Sequence, residues 1–219
     1  RYSISQTSEN TLVWEVTDPL NPANRQFSRQ GNNILFGAQG SLLRTFIVFD
    51  PTQTLLAPEA IGRISNQNLH AISEVDMLIV YHPDFQTEAL RLQSHRSSFD
   101  ELKVSIASVD EIYNEFSSGS TDPTAIRNFA HMCHERDPNF RYLLLLGDGS
   151  FDQRNIYELG GNFIPTYQTE AFNPIFAFPT DDYYAVLEPV SLGNPSDPLS
   201  GALEISVGRL PVNTPEQAG

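Results

Sequence analysis

Two periodicities divide the hydrophobic positions of this chain. In the first third, Thr11-Leu12-Val13-Trp14-Glu15-Val16 and Leu43-Arg44-Thr45-Phe46-Ile47-Val48-Phe49 are short alternating or β-branched runs. Turn-rich pieces separate them, Asp18-Pro19-Leu20-Asn21-Pro22 and Gln30-Gly31-Asn32-Asn33. A period of two broken by such turns predicts antiparallel strands with loops. Residues 1–75 therefore read as a β-rich segment. So small a β piece would hardly stand alone; it reads as the end of an N-terminal β domain or as an addition to the edge of the next sheet.

From Asp76 the pattern lengthens. Met77-Leu78-Ile79-Val80-Tyr81 is an unbroken apolar run, as expected of a buried strand. Pro83-Asp84 then opens a helix with Phe85, Ala89 and Leu92 on one face. Lys103–Ala107 predicts a second strand and Val109–Phe116 a short helical turn. Thr121 or Asp122 can cap the next helix, Pro123 fits its first turn, and Ile126, Phe129, Ala130 and Cys133 follow at helical spacing. That helix should end near Asp137-Pro138.

Next comes Tyr142-Leu143-Leu144-Leu145-Leu146-Gly147-Asp148-Gly149. Four successive leucines leave no polar face, so this strand must be covered on both sides. It stops at a Gly-Asp-Gly turn, which sets Asp148 at the carboxyl end of a central strand. In open α/β sheets that edge is where ligands bind. Ile164–Tyr167 and Asp182–Leu187 suggest a small hairpin-like insertion. Leu203–Leu210 predicts a fourth strand, and Thr214-Pro215-Glu216 a helix cap and first turn. Alternating strands and helices from residue 76 predict an α/β domain with a mostly parallel sheet. A strand feeding a helix start at the last residues, and Arg1 at the first, read as a piece of a longer chain.

Composition narrows the classes. Of 219 residues, 27 are acidic and 13 are Lys or Arg, a formal charge of -14 with no basic cluster. That balance speaks against a nucleic-acid surface. A single cysteine excludes an internal disulfide and a two-thiolate metal site. No apolar run approaches the roughly 20 residues that span a bilayer as a helix.

Candidate chemistry follows from position. Cys133 lies on the stripe of Ile126 and Phe129, so it reads as a core cysteine, with His131 and His134 at the surface. Asp148 and Asp152 form a carboxylate pair that could ligate a hard cation, such as a structural Ca²⁺, or anchor their own loop by accepting backbone N–H bonds. Asp181 and Asp182, beside Tyr183 and Tyr184, could hold a cationic group or cap a solvated loop. Glu170 could orient a histidine by accepting its ring N–H. Gly147-Asp148-Gly149 lacks the third glycine and the lysine of the nucleotide fingerprints, and no serine sits in a nucleophile elbow.

Several stretches together resemble the gingipain-type cysteine peptidases. They are Val109–Gly119 with Asp122-Pro123-Thr124-Ala125-Ile126-Arg127, Tyr142–Gly149, and Val207-Gly208-Arg209-Leu210-Pro211-Val212. Leu12–Asp18, Asn66–His70 and Asp152-Gln153-Arg154-Asn155 are similar to the sortase branch of that family, which serves the type IX secretion system. The resemblance implies a caspase-like three-layer α/β sandwich preceded by the β-rich segment. It implies a His–Cys dyad that cleaves peptide bonds without a required cofactor. Substrates would be proteins carrying C-terminal secretion signals, whose acyl product passes to a lipopolysaccharide amine at the bacterial outer membrane surface, among other type IX components. It places Asp181 at the pocket for a substrate side chain, with Asp182 where the family has histidine, and matches Glu170 to the carboxylate that orients the catalytic histidine. The chain departs from the family in having no His-Gly pair and no strand-terminal cysteine. The expectation is a first part of the catalytic domain without the dyad, inactive by itself. A non-catalytic peptide-binding or scaffolding module of an envelope complex is the alternative, and a metal-dependent hydrolase built on Asp148 and Asp152 a third.

Overall fold

The computed structural model describes residues 1–53, 56–57, 59–60, 62–169, 177–188, 199 and 201–219. The chain forms two compact units, Arg1–Ile64 and Ser65–Gly219.

The first unit is antiparallel. Strands β1 (Tyr2–Ile4), β5 (Asn33–Phe36) and β4 (Ser28–Gln30) make one sheet, and β3 (Ala23–Asn24), β2 (Leu12–Glu15) and β6 (Phe46–Phe49) another. Alternation in β2 buries Val13 and turns Trp14 outward. Val13, Ile34 and Phe36 form the small core. Glu15, buried at the end of β2, is paired with Arg25 and Arg44. Ten-odd residues of the expected β segment belong to the second unit instead. Leu69 and Val75 are buried in the α/β core, and the Val75 amide donates to Asp137 Oδ2 at 3.0 Å.

The second unit is built on four parallel strands in the order β12 (Ser206–Leu210), β9 (Tyr142–Leu146), β7 (Met77–Tyr81) and β8 (Val104–Ser108). Their register is aligned: Ser206, Tyr142 and Met77 lie side by side at one end, and Leu210, Leu146 and Tyr81 at the other. The leucine strand is thus interior. Pleating sends Leu143 and Leu145, with Leu78 and Val80, to one face. There they meet Ile112 of α2 (Val109–Phe116) and Ile126 and Phe129 of α3 (Pro123–Arg136). Leu144 and Leu146, with Met77 and Ile79, face Ala89 and Leu92 of α1 (Gln86–Phe99). The result is the three-layer α/β sandwich that an all-leucine strand requires.

Local chemistry fixes the helix ends. Ser108 and Glu111 form a reciprocal capping box at α2, and Asp122 caps α3 by accepting from the Thr124 amide at 2.8 Å. Thr214 caps α4 (Pro215–Ala218). Cys133 is buried on α3, as its place on the apolar stripe requires, and burial pushes its thiol up to about 12.

The expected hairpin is not formed as drawn. Strand β10 (Tyr167–Gln168) pairs antiparallel with β11 (Pro179–Thr180), and Asp182–Tyr184 is a 3-10 turn. Tyr183 through Leu187 are five consecutive buried residues, which a two-faced hairpin strand does not supply. The Asp182 carbonyl accepts from Ala185 and Val186, satisfying the backbone locally.

Glu115 ties the entering chain to α2. Its Oε1 accepts from the Leu69 amide at 2.8 Å and the Gln67 side chain at 2.9 Å, and His70 Nδ1 lies 2.6 Å from Oε2. Partial burial alone would raise this carboxyl, but the bonds from Leu69, Gln67 and His70 outweigh it and hold it at about 2. A depressed acid stabilises the fold above its unfolded value near 4.5, and that contribution is lost as pH falls from there through about 2. Urea midpoints measured across this window should fall with pH, and Glu115→Gln should flatten that slope. Leu145→Ala should cost about 2–5 kcal/mol in the same assay, because its site is enclosed and cannot collapse.

Candidate functional site

The carboxyl ends of the four strands form one rim. Strand β7 delivers His82, β9 delivers Gly147-Asp148-Gly149, and β12 delivers Pro211-Val212-Asn213. The His82 amide donates to the Leu146 carbonyl at 3.3 Å, and its ring meets Phe163 edge-on at 5.0 Å.

Arg209 organises this rim. It sits one residue before the end of β12, on the same face as Val207, which packs against the α2–α3 core. Nε donates to Asp181 Oδ2 at 2.8 Å and Nη2 to Asp181 Oδ1 at 2.7 Å, a bidentate fork. Nη1 donates to the carbonyls of Gly147 at 2.9 Å and Ile164 at 2.8 Å, and Nη2 to that of Pro165 at 3.2 Å. All five N–H donors of the guanidinium therefore have acceptors. The side chains of Arg209 and Asp181 are only 12% and 23% exposed.

Two glycines make room for this cluster. Gly147 has φ +146°, and a Cβ there would lie 3.0 Å from Phe163 Cβ. At Gly149 a Cβ would come within 2.9 Å of the Ile164 carbonyl oxygen and 3.3 Å of Arg209 Nη1. The Gly-Asp-Gly turn is thus a steric requirement of the guanidinium and of the 163–165 segment beside it.

The sequence-derived candidates fall as follows. Asp148 is at the strand end, where its Oδ1 accepts from the Gly149 amide at 2.8 Å and its Oδ2 from Asn213 Nδ2 at 3.1 Å. Asp152 is buried in the next loop, its two oxygens accepting from the amides of Ile156 at 2.8 Å and Tyr157 at 2.7 Å. Both carboxylates thus do the loop-anchoring work open to them, and among the described residues no group of three or more His, Cys, Asp or Glu is placed to hold a metal. Asp181 and Asp182 part company: Asp181 faces Arg209, whereas Asp182 lines a groove with Arg141, Tyr142 and Glu204. Glu170 lies outside the described residues. His131 lies 3.4 Å from Glu188, away from the rim.

The turn that follows Asp181 is anchored by aromatics, and the Asp181 carbonyl accepts from the Tyr184 amide at 3.0 Å. Tyr183 stacks on Tyr167 at 4.1 Å and its hydroxyl lies 3.0 Å from Thr124 Oγ1 on α3. The Tyr184 hydroxyl donates to the Pro165 carbonyl at 2.5 Å, and burial raises it well above its ordinary range. Beside this support a cleft of about 440 Å³ opens, lined by Asp122, Phe151, Gln153, Arg154, Ile156 and Tyr167 among others. Sequence reading passed over Arg209 and His82. The signal for Arg209 was present: a lone cation inside an apolar strand must bring its acceptors with it. His82 carried a weaker one, as the first polar residue after an all-apolar strand.

A buried charge left without its partner is costly. Arg209→Met should destabilise the protein by about 3–5 kcal/mol, and Asp181→Asn by less because an amide still accepts. In urea unfolding the double variant should lose clearly less than the sum of the two, the coupling that a contact pair shows.

Comparison with known proteins accords with this architecture. No curated protein matches the chain. The crystal structure of dimeric latent PorU from Porphyromonas gingivalis is similar to 99% of this chain, with a TM-score of 0.85 and 29% sequence identity. The match spans 22% of that solved chain. Its likeness identifies the α/β unit as a caspase-like, gingipain-like fold. The model of peptidase family C25 matches residues 70–219, from the Glu115-bound entry through the four-stranded sheet, the Gly147–Gly149 turn and Arg209. With that match over more than half its length, the chain belongs to peptidase family C25, the gingipain-like cysteine peptidases.

Proposed function

We propose that this chain forms part of a cysteine endopeptidase and sortase that removes C-terminal secretion signals from type IX cargo and passes the product to a lipopolysaccharide amine at the bacterial outer surface. The family C25 match carries the peptidase half of the reading. The likeness to PorU supports the sortase half.

In this reading a thiolate attacks the scissile carbonyl, forming an acyl-enzyme while a histidine protonates the departing amine. Water or an incoming amine then attacks the thioester, the thiolate leaves, and the attacking group gives up its proton to the base. Residues 1–219 supply the frame for these steps rather than the nucleophile. Cys133 is enclosed by the α/β core, and a thiol pushed up to about 12 holds almost no thiolate at neutral pH. His131 and His134 share its helix, and His131 faces Glu135 and Glu188. What this chain contributes is the carboxyl rim of the sheet, where the Gly147–Gly149 turn and the 163–165 segment are held rigid beside the cleft.

Full-length protein tested on a peptide spanning a signal junction should cleave it, and thiol alkylation should abolish cleavage. Added amine should appear as an adduct in the mass of the released product. Cleavage unaffected by alkylation would reject the cysteine mechanism. Hydrolysis alone, with no adduct, would reject the transfer. Peptide binding without any cleavage would favour a scaffolding role.

A further inference from the structure

A two-stranded ribbon ends in open edges, and β10 lines the cleft beside the rim through Tyr167 and Gln168. We propose that this cleft docks an extended segment of a partner protein. The segment adds a strand to β10 at Gln168, lays a large apolar side chain on Phe151 and Ile156, and places a carboxylate on Arg154. This goes beyond the peptidase reading and does not depend on it, since it concerns binding alone.

The backbone selects an extended chain. The Thr169 amide donates to the Phe178 carbonyl at 3.1 Å, so Gln168 and Pro179 form a pair whose own N–H and C=O groups point away from each other. Pro179, with no N–H, fits that position on its strand. On β10 the Gln168 N–H and C=O face outward, where among the described residues no strand pairs with them, and Gln168 is exposed. An edge of this kind is a template for strand addition.

The loop after β9 supplies an apolar wall. Phe151 and Ile156 line the cleft yet are 58% and 70% exposed, with Tyr157 at 69% close by in the same loop. Large apolar side chains grouped on a protein surface mark a contact with another molecule. The loop holds them in place from within. The buried Asp152 carboxylate accepts from the Ile156 and Tyr157 amides, Asn155 Oδ1 accepts from the Gly160 amide at 2.9 Å, and the Gln153 side chain donates to the Thr166 carbonyl just before β10. A partner therefore meets a surface that is already ordered.

Charge narrows the partner further. Arg154 lines the cleft, is exposed, and makes no ion pair or hydrogen bond among the described residues. The two carboxylates of the cleft are engaged, Asp152 as above and Asp122 by the Thr124 amide that it caps. The free charge here is thus a guanidinium, in a chain of net charge -14, and a carboxylate is its complement. A lipid surface would use the apolar wall and the guanidinium but not the strand edge.

The test follows fluorescence anisotropy of a labelled nonapeptide that alternates threonine with leucine and glutamate. It is titrated with full-length protein treated with a thiol alkylator, so that the peptide stays intact. Binding should saturate below about 1 mM. Gln168→Pro removes the outward N–H without touching the β10–β11 ladder and should weaken binding about fivefold to tenfold. Arg154→Gln should weaken the glutamate peptide by a similar factor and leave a glutamine version unchanged. If thermal shift shows Gln168→Pro to be misfolded, the peptide backbone decides on wild-type protein. Methylating its alternate amides on one edge should abolish binding and on the other edge leave it, because successive N–H groups of a strand point to opposite sides. Equal effects from the two methylated peptides would overturn the strand addition. No saturation up to about 1 mM, or binding indifferent to both variants, would overturn the docking site. A dimer in sedimentation that Ile156→Asp dissolves and the peptide does not displace would overturn it in favour of a second copy. Arg154-dependent binding to anionic vesicles, with no peptide bound, would overturn it in favour of a lipid surface.

Discussion

A guanidinium carried on an apolar strand must find acceptors where that strand ends, and the acceptors it finds here come from three places in the chain. Arg209 leaves β12 and takes the carbonyl of the β9 turn, the carbonyls of residues 164 and 165, and the carboxylate of Asp181. Each of these is a loop that would otherwise be free to choose its own path. Burying one charge against five acceptors converts a set of separate connections into a single rigid rim. The sheet beneath sets the position of the arginine, and the arginine sets the position of the loops.

This dependence explains why the turn after the leucine strand has two glycines. The first adopts a backbone conformation that side chains disfavour, and the second stands where a methyl group would strike both the Ile164 carbonyl and the guanidinium. It also explains why Asp181 is braced so heavily. Tyr183, stacked on Tyr167 and hydrogen-bonded to Thr124, and Tyr184, bonded to the Pro165 carbonyl, anchor the turn that Asp181 begins. In a family of cysteine peptidases, a rim held this way offers a fixed surface against which a peptide can be aligned.

Much of the sandwich was legible in the residues themselves. An all-leucine run can only be an interior strand, and Asp122-Pro123 can only open a helix, so β9 and α3 were readable to within a residue or two. The edge of the β unit was less so, because Leu69 and Val75 are too sparse to show which core they enter. The 182–187 segment misled because its aromatic and β-branched residues favour strands, while burial on every side made a compact turn the better solution. At the site, the sequence suggests Asp148 and Asp152 as a pair, whereas in the fold each acid binds its own loop, because a one-dimensional reading cannot tell which partner an acid meets. Asp181 shows the limit most clearly. Its partner lies 28 positions away on another strand, and only folding reveals that the two charges neutralise each other.

The most direct measurement is arginine-selective ¹⁵N NMR of the Nε–H groups. One Nε–H signal, assigned to Arg209 by its loss in Arg209→Met, should exchange with solvent orders of magnitude more slowly than those of exposed arginines, and should lose that protection in Asp181→Asn. An Arg209 Nε–H exchanging at the rate of a free side chain would contradict the closed fork on which the whole rim depends.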